Sequence, residues 1–443
     1  MTAETDTRAD PAEPRERRSL RAALQQLKSN AIRRLGWGIS DQIVSSLSNF
    51  AVSIYVVRTL GAAQFGVFSL AYVTYGFALN ASRGLATDPL IVRFSGTDRG
   101  TWRRAVASCT GTATIVGLVT GTCVLAAGAA IGGKAGPGFV ALGLTLPGLM
   151  LQDSWRYSFF ALGRGSRAFL NDLVWTLTLV PALVLLRVSG HSDVFWFILA
   201  WGLTANIAAA IGPLQARVMP KLPRIWDWFS HHRDLGLRYF AEGTASSVAN
   251  QLRTYGIGLL LGLSAVGYVQ AATTITGPIN ILFLGMSLTA IPEGARVLRR
   301  SPRHLPVFCL AVSGGMAAAA FVAGLVLLFA LPRGLGIRVL GPIWQQTYPL
   351  VLPQTLYLVG LGVTFGAGVG LHALGAARRS LRSMILASAV LVVGSLLGAV
   401  SGGAVGTVAG AAVAAWVGAL IYWWQLRAGW QESGHASSAA RSR

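Results

Sequence analysis

Three arginines sit where an arginine is costly. Arg83, Arg156 and Arg253 each interrupt an apolar stretch of about membrane length. At the centre of a membrane helix an arginine costs about 2.5–3.5 kcal/mol on insertion scales, so it faces a bundle interior, water or a partner of opposite charge. It keeps its proton and presents a planar fork of N–H donors that fits phosphate oxygens in pairs. Three such residues, two in one half of the chain and one in the other, point to an anion path.

Local spacing ranks them. Arg83 has Asp88 nearby, but five positions on a helix turn the two side chains well apart, and Arg253 has no acidic residue within a turn. These two read as facing a cavity. Arg156 has Asp153 three residues before it and reads first as paired within its own helix, with a cavity role as the alternative. Asp41 and Glu242 fall in the first turns of two leading helices; they read either as carboxylates complementing a helix dipole or as ion-coupling groups. Asp88 and His372 complete the candidates for ion or proton coupling, although a lone His within a membrane helix is also a common hydrogen-bonding core residue.

Other chemistry is missing. There is no Gly-Lys-Ser/Thr phosphate loop, no His-Glu-x-x-His and no Gly-x-Ser-x-Gly, and no sizeable soluble segment to hold one. Cys109, Cys123 and Cys309 lack disulfide or metal spacing. We expect neither an enzyme nor a cofactor or metal site. Any transport must then draw on a gradient, an ion or a partner.

The elements that position these residues follow from composition. Of 443 residues, 53% are hydrophobic and only 12% charged, with mean hydropathy +0.56. A soluble fold cannot hide that much apolar surface. The expectation is an all-α polytopic membrane protein with spans at 37–58, 65–92, 105–130, 137–161, 168–187 and 193–216, then 238–262, 266–292, 305–331, 346–374, 383–400 and 404–426. Residues 1–36 form a basic segment without the apolar core of a signal peptide; Leu20, Leu24, Leu27, Ala31 and Leu35 give it an amphipathic helical pattern. Residues 217–237, with Trp226, Trp228, His231 and His232, read as a linker between lobes 37–216 and 238–426, and 427–443 as a tail.

The net charge of +21 does not indicate nucleic acid, because its distribution follows topology. Of 37 Lys and Arg, 29 fall in the N-terminal segment, the tail and the loops after even-numbered spans; 5 fall on the other side and 3 within spans. That bias assigns both termini to the cytoplasmic side of an inner membrane.

An internal repeat supports two lobes. At an offset of 201 residues, Ser45, Ser46, Asn49, Leu60, Gly61, Gly66, Ala71 and Gly76 meet identical residues, and Asp41 meets Glu242. Six spans separate the copies, so the lobes are parallel repeats about an axis along the membrane normal.

The stretch from Val57 through Leu60-Gly61 and Phe65-Gly66 to Ala71 resembles the first hairpin of polysaccharide and O-antigen flippases, in the multidrug/oligosaccharidyl-lipid/polysaccharide (MOP) superfamily. Leu261-Gly262 with Gly267-Tyr268 resembles their seventh-to-eighth hairpin, and Leu340-Gly341-Pro342-Ile343-Trp344 gives a third echo. The resemblance implies alternating-access movement of a lipid-linked glycan, with membrane lipid as a partner and a polysaccharide polymerase or glycosyltransferase as a further one. It implies a cationic cavity, to which Arg83 and Arg253 would correspond by location. The lipid II flippase branch ordinarily has two more spans and ranks lower. A drug/cation antiporter of the same superfamily would need a carboxylate cluster instead. A major-facilitator carrier would place the elements of Gly96–Arg104 at a different spacing. A non-transporting scaffold for a polymerase complex is the fourth class.

Cysteine labelling in intact cells tests the topology. Cysteines at Lys134, Arg187 and Arg338 should react from outside and those at Lys221, Arg299 and Arg379 only after permeabilisation; outside labelling at Arg299 would refute it.

Overall fold

In the computed structural model the described residues are 50–222, 225–330 and 333–441. The amphipathic segment within 1–36 and Asp41 lie outside them, as does the side chain of Glu242. Among the described residues there are helices and no strands.

Eight helical segments are long and apolar enough to cross a membrane. Two of them are double. Phe50–Phe94 carries Gly61 at φ +75°, which separates α1 (50–60) from α2 (62–94). Ala377–Arg441 has non-helical Gly402 and Gly403, which separate α11 (377–401) from α12 (404–441). Between them lie α3 (Arg99–Ile131), α4 (Gly136–Ala161), α5 (Gly165–Val188), α6 (Val194–Ala216) and α7 (Ile225–Leu261). Next come α8 (Leu263–Ile275, resuming after Thr276 as Gly277–Arg300), α9 (Leu305–Leu325) and α10 (Trp344–Ala373). The twelve helices form the expected all-α membrane fold. The internal prolines Pro147, Pro181, Pro213, Pro349 and Pro353 do not end their helices, as membrane helices commonly tolerate.

The boundaries differ from expectation at several helix ends. α7 begins at Ile225, so most of 217–237 is helix, and α8 runs to Arg300. The last helix continues through the expected tail to Arg441. Apolarity marks only the part of a helix that lipid surrounds, and these helices outlast it.

Each lobe is built around one central helix. In the first, α4 packs on α3, α5 and α6; in the second, α10 packs on α8, α9 and the α11–α12 hairpin. α10 carries no Asp, Glu, Lys or Arg, whereas α4 carries Asp153 and Arg156.

The lobes meet through α2 and α7, which run antiparallel. Thr74 bonds Tyr255, Asn80 donates to Ser247, and further in the Trp228 indole donates to the Leu85 carbonyl and Arg93 to that of His231. α8 reverses from α7 after Gly262 (φ +83°), so it runs parallel to α2. The starts of α2 and α8 cross so closely that a Cβ on Gly66 would collide with the Leu263 carbonyl, and one on Gly267 with that of Ala62. The two contacts are the same contact under the 201-residue offset. Reciprocity of that kind is the mark of a two-fold relation, and with parallel helices the axis lies along the membrane normal.

Gly66→Val or Gly267→Val should therefore destabilise the purified protein by about 1–3 kcal/mol, the usual cost of overpacking, read as a lowered unfolding temperature. Gly76→Ala, where a Cβ meets nothing within 4 Å, should be neutral. Equal effects at all three would refute the crossing.

Candidate functional site

The polar residues at depth converge inside the first lobe. α2 widens into a π-turn at Arg83–Thr87, just before Pro89. Pro89 brings no N–H to the preceding turn. Side chains from elsewhere meet the carbonyls there: the Trp228 indole takes Leu85 and the Cys109 thiol takes Ala86. Such π-turns recur at functional positions.

From the start of this turn Arg83 reaches α4. Its Nε donates to Asp153 Oδ2 at 2.9 Å and its terminal nitrogen to Oδ1 at 2.7 Å, a bidentate fork. Its guanidinium also lies 4.9 Å from the centre of the Tyr157 ring. One turn along α4, Arg156 pairs with Asp172 of α5 at 3.2 Å. Gln152 donates to Asp172 at 2.8 Å and to Asn171 at 3.2 Å; Asn171 in turn donates to the Ala208 carbonyl and to Gln215 on α6. Asp153 and Asp172 are almost fully buried, their side chains 5% and 6% exposed. Toward the start of α2 an aromatic layer of Tyr72, Tyr75, Trp175 and Trp201 covers the network, with Tyr75 edge-on to Trp201 at 5.0 Å.

This corrects the local reading of the arginines. Arg83 is not unpaired: it holds the carboxylate assigned by spacing to Arg156, and Arg156 holds Asp172 instead. Helical spacing sees only neighbours on one helix. The partners come from adjacent helices, where a deep carboxylate and a deep guanidinium each remove the other's desolvation cost. Gln152, Asn171, Gln215 and Tyr157 were missed, although polar residues facing one another in consecutive spans are their signal.

Arg253 is different. Its Nε is buried and has no hydrogen-bond partner among the described residues, and the same holds for Gln251 Nε2 two residues earlier. Gly256, one turn on, packs against Leu396 of α11. Arg253 does not share a level with Arg83. The Asn80–Ser247 contact sets Arg83 opposite about residue 244 of α7, which leaves Arg253 roughly 13 Å further along the helix at 1.5 Å per residue. The geometry does not bring the two into one cluster.

The coupling candidates are scattered as well. His372 is exposed at the end of α10 and its Nδ1 bonds the Gly368 carbonyl one turn back. Asp88 opens the helical segment after the π-turn. His231 and His232 bond carbonyls of their own helix, and His232 stacks on Trp228 at 4.1 Å. Among the described residues no group of three His, Cys, Asp or Glu could hold a metal.

No protein-family model matches the chain, and no curated protein matches it. Solved structures do. An inward-facing multidrug resistance MATE-family transporter of the MOP superfamily aligns with TM-score 0.65 at 17% identity, over 87% of this chain and 95% of that one. The lipid II flippase MurJ, in an inward closed conformation, aligns with TM-score 0.67 at 9% identity, over 89% and 87%. A MOP superfamily transporter from Pyrococcus furiosus aligns with TM-score 0.58 at 16% identity, over 91% and 96%. The fold is that of MOP superfamily transporters.

A double-mutant cycle tests the central pair. Arg83→Gln and Asp153→Asn should each cost about 3–5 kcal/mol by stranding a buried charge, while the double variant should recover part of the loss. Strictly additive losses would show that the two side chains do not hold each other.

Proposed function

We propose that the chain is an alternating-access transporter whose substrate is anionic, with a lipid-linked oligosaccharide or polysaccharide precursor as the class that fits best. In this reading it sits in the cytoplasmic membrane with both termini inside, and lobes 37–216 and 238–426 are the moving parts. The observation that carries the substrate's charge is the balance of buried groups. Asp153 and Asp172, deep carboxylates of the first lobe, are each matched by an arginine, while Arg253 keeps a buried Nε with no partner among the described residues. A site for a cationic drug or an ion would need the opposite balance. The hairpin resemblance to polysaccharide flippases and the likeness of fold to a lipid II flippase point the same way.

Arg253 is the residue this reading places on the substrate; Arg83 and Arg156 hold the first lobe together. A bidentate bond from Arg253 to a phosphate would contribute about 1.5–3 kcal/mol as a charge-assisted pair. Arg253→Ala should therefore lower flux of a lipid-linked oligosaccharide in reconstituted vesicles roughly tenfold to a hundredfold. Arg253→Lys should recover only part, since an ammonium lacks the fork. A stable Arg253→Ala protein moving substrate at the parent rate would overturn the assignment, and efflux of cationic dyes by the parent without glycan flux would favour an antiporter.

A further inference from the structure

A second cationic feature lies at the end of the first lobe that the arginine bias assigns to the cytoplasm. Arg99 and Arg103 from the start of α3, Arg164 and Arg167 from the start of α5, and Arg217 from the end of α6 line one cavity of about 280 Å³, with the buried Trp102 in its wall. No carboxylate lines it. Topology alone requires arginines somewhere in these loops. It does not require five of them, from three separate loops, to converge.

The local electrostatics are unfavourable without an anion. A helix N-terminus carries partial positive charge and is ordinarily matched by an acidic residue. Here α3 is capped by Asp98 but carries Arg99 in its first turn, and α5 carries Arg167 there with no acidic residue. The nearest carboxylate, Asp98, is turned to its own helix, where it accepts from the N–H groups of Gly100 and Thr101; hydrogen bonding from Thr101 holds it below the usual carboxylate range. The N-terminus of α5 has no side-chain cap at all. Backbone N–H groups at such an end are a ready anion site.

The cavity is also built. Arg103 donates to the Arg217 carbonyl and Arg167 to that of Gln215, so the C-terminal end of α6 fixes two of the guanidinium groups. Arg217 itself adopts φ +56°, the one non-glycine residue with positive φ among those described. The side chains of Arg99, Arg164 and Arg217 make no hydrogen bond or ion pair with the described residues. Large apolar side chains flank the cluster and are exposed: Leu170 on α5, and Leu214 and Met219 on either side of Arg217. A soluble anion has no use for that apolar border, whereas acyl chains do.

We propose that this arginine cavity binds the phosphate headgroup of an anionic phospholipid from the adjoining leaflet, and that the bound lipid ties together the inner ends of α3, α5 and α6. Basic pockets between membrane helices on the cytoplasmic side take such headgroups generally. The site stands apart from Arg253, and its proposal does not depend on the substrate transported.

The test uses the full-length protein, delipidated in mild detergent. Phosphatidylglycerol should raise its unfolding temperature and remain bound in native mass spectra, while phosphatidylcholine and inorganic phosphate should do neither. Arg99→Gln combined with Arg164→Gln removes two guanidinium groups that have no internal partner, so it strands nothing. This variant should fold and lose at least tenfold in phosphatidylglycerol affinity. Arg99→Lys combined with Arg164→Lys should keep most of the binding. Arg299→Gln with Arg300→Gln, on the same side but outside the cavity, should bind as the parent does. Equal retention by parent and glutamine variant, equal retention of phosphatidylcholine, or full protection by inorganic phosphate would each overturn the proposal.

Discussion

A charge removed from water must be met by an opposite charge, and in the first lobe this requirement fixes how three helices stand. Arg83 of α2 holds Asp153 of α4, and Arg156 of α4 holds Asp172 of α5. Neither pair is a cheap source of stability, since desolvating two ions costs about as much as their attraction returns. Their effect is on specificity. A shift of α2 against α4 by one turn would strand both members of a pair, a loss that a purely apolar interface would not impose. Gln152, Asn171 and Gln215 then carry the network from Asp172 to α6.

Among its described residues the second lobe has no counterpart of these two pairs. At the offset of the repeat, Asp153 corresponds to Gln354, which is equally buried and among the described residues donates to Thr276 alone, at 3.4 Å. The lobes thus share a backbone plan and differ in their interiors. Three of the hydrogen bonds described between α2 and α7, Thr74 with Tyr255, Asn80 with Ser247 and Trp228 with the Leu85 carbonyl, are neutral, and the fourth is a charged donor, Arg93, on a neutral carbonyl. Neutral hydrogen bonds contribute about 0.5–1.5 kcal/mol each, while breaking a buried ion pair costs about 3–5 kcal/mol. On those magnitudes the polar links across α2 and α7 give way well before the first lobe does. That ranking is what the proposed rocking of the two lobes requires.

Much of the architecture was legible in the sequence because lipid imposes simple rules. Apolar runs mark spans, and the glycines at 61, 66, 262 and 267 mark hairpins whose reciprocal crossing the structure displays. Even the closely spaced last pair of spans was legible, since Gly402 and Gly403 permit the turn that separates them. Pairing of charges was not legible. It depends on which helices are neighbours, and the sequence ranks Asp153 with Arg156 only because they are three residues apart. The extensions of α7, α8 and α12 were missed for a related reason: hydropathy falls off where lipid ends, and these helices continue past that point. Arg253 has no acidic residue within a turn on its own helix, and its buried Nε has no hydrogen-bond partner among the described residues.

The central claim is that the deep carboxylates are ionised and held by arginine, which leaves Arg253 as the cation for a substrate. Dicyclohexylcarbodiimide, which enters membranes and modifies buried carboxyl groups only when they are protonated, tests this directly. Labelling at neutral pH with mass-spectrometric readout should leave Asp153 and Asp172 unmodified in the parent protein, and should modify Asp153 once Arg83 is replaced by Gln. Rapid modification of Asp153 in the parent protein would contradict the account, because a carboxyl that carries a proton is not held by Arg83.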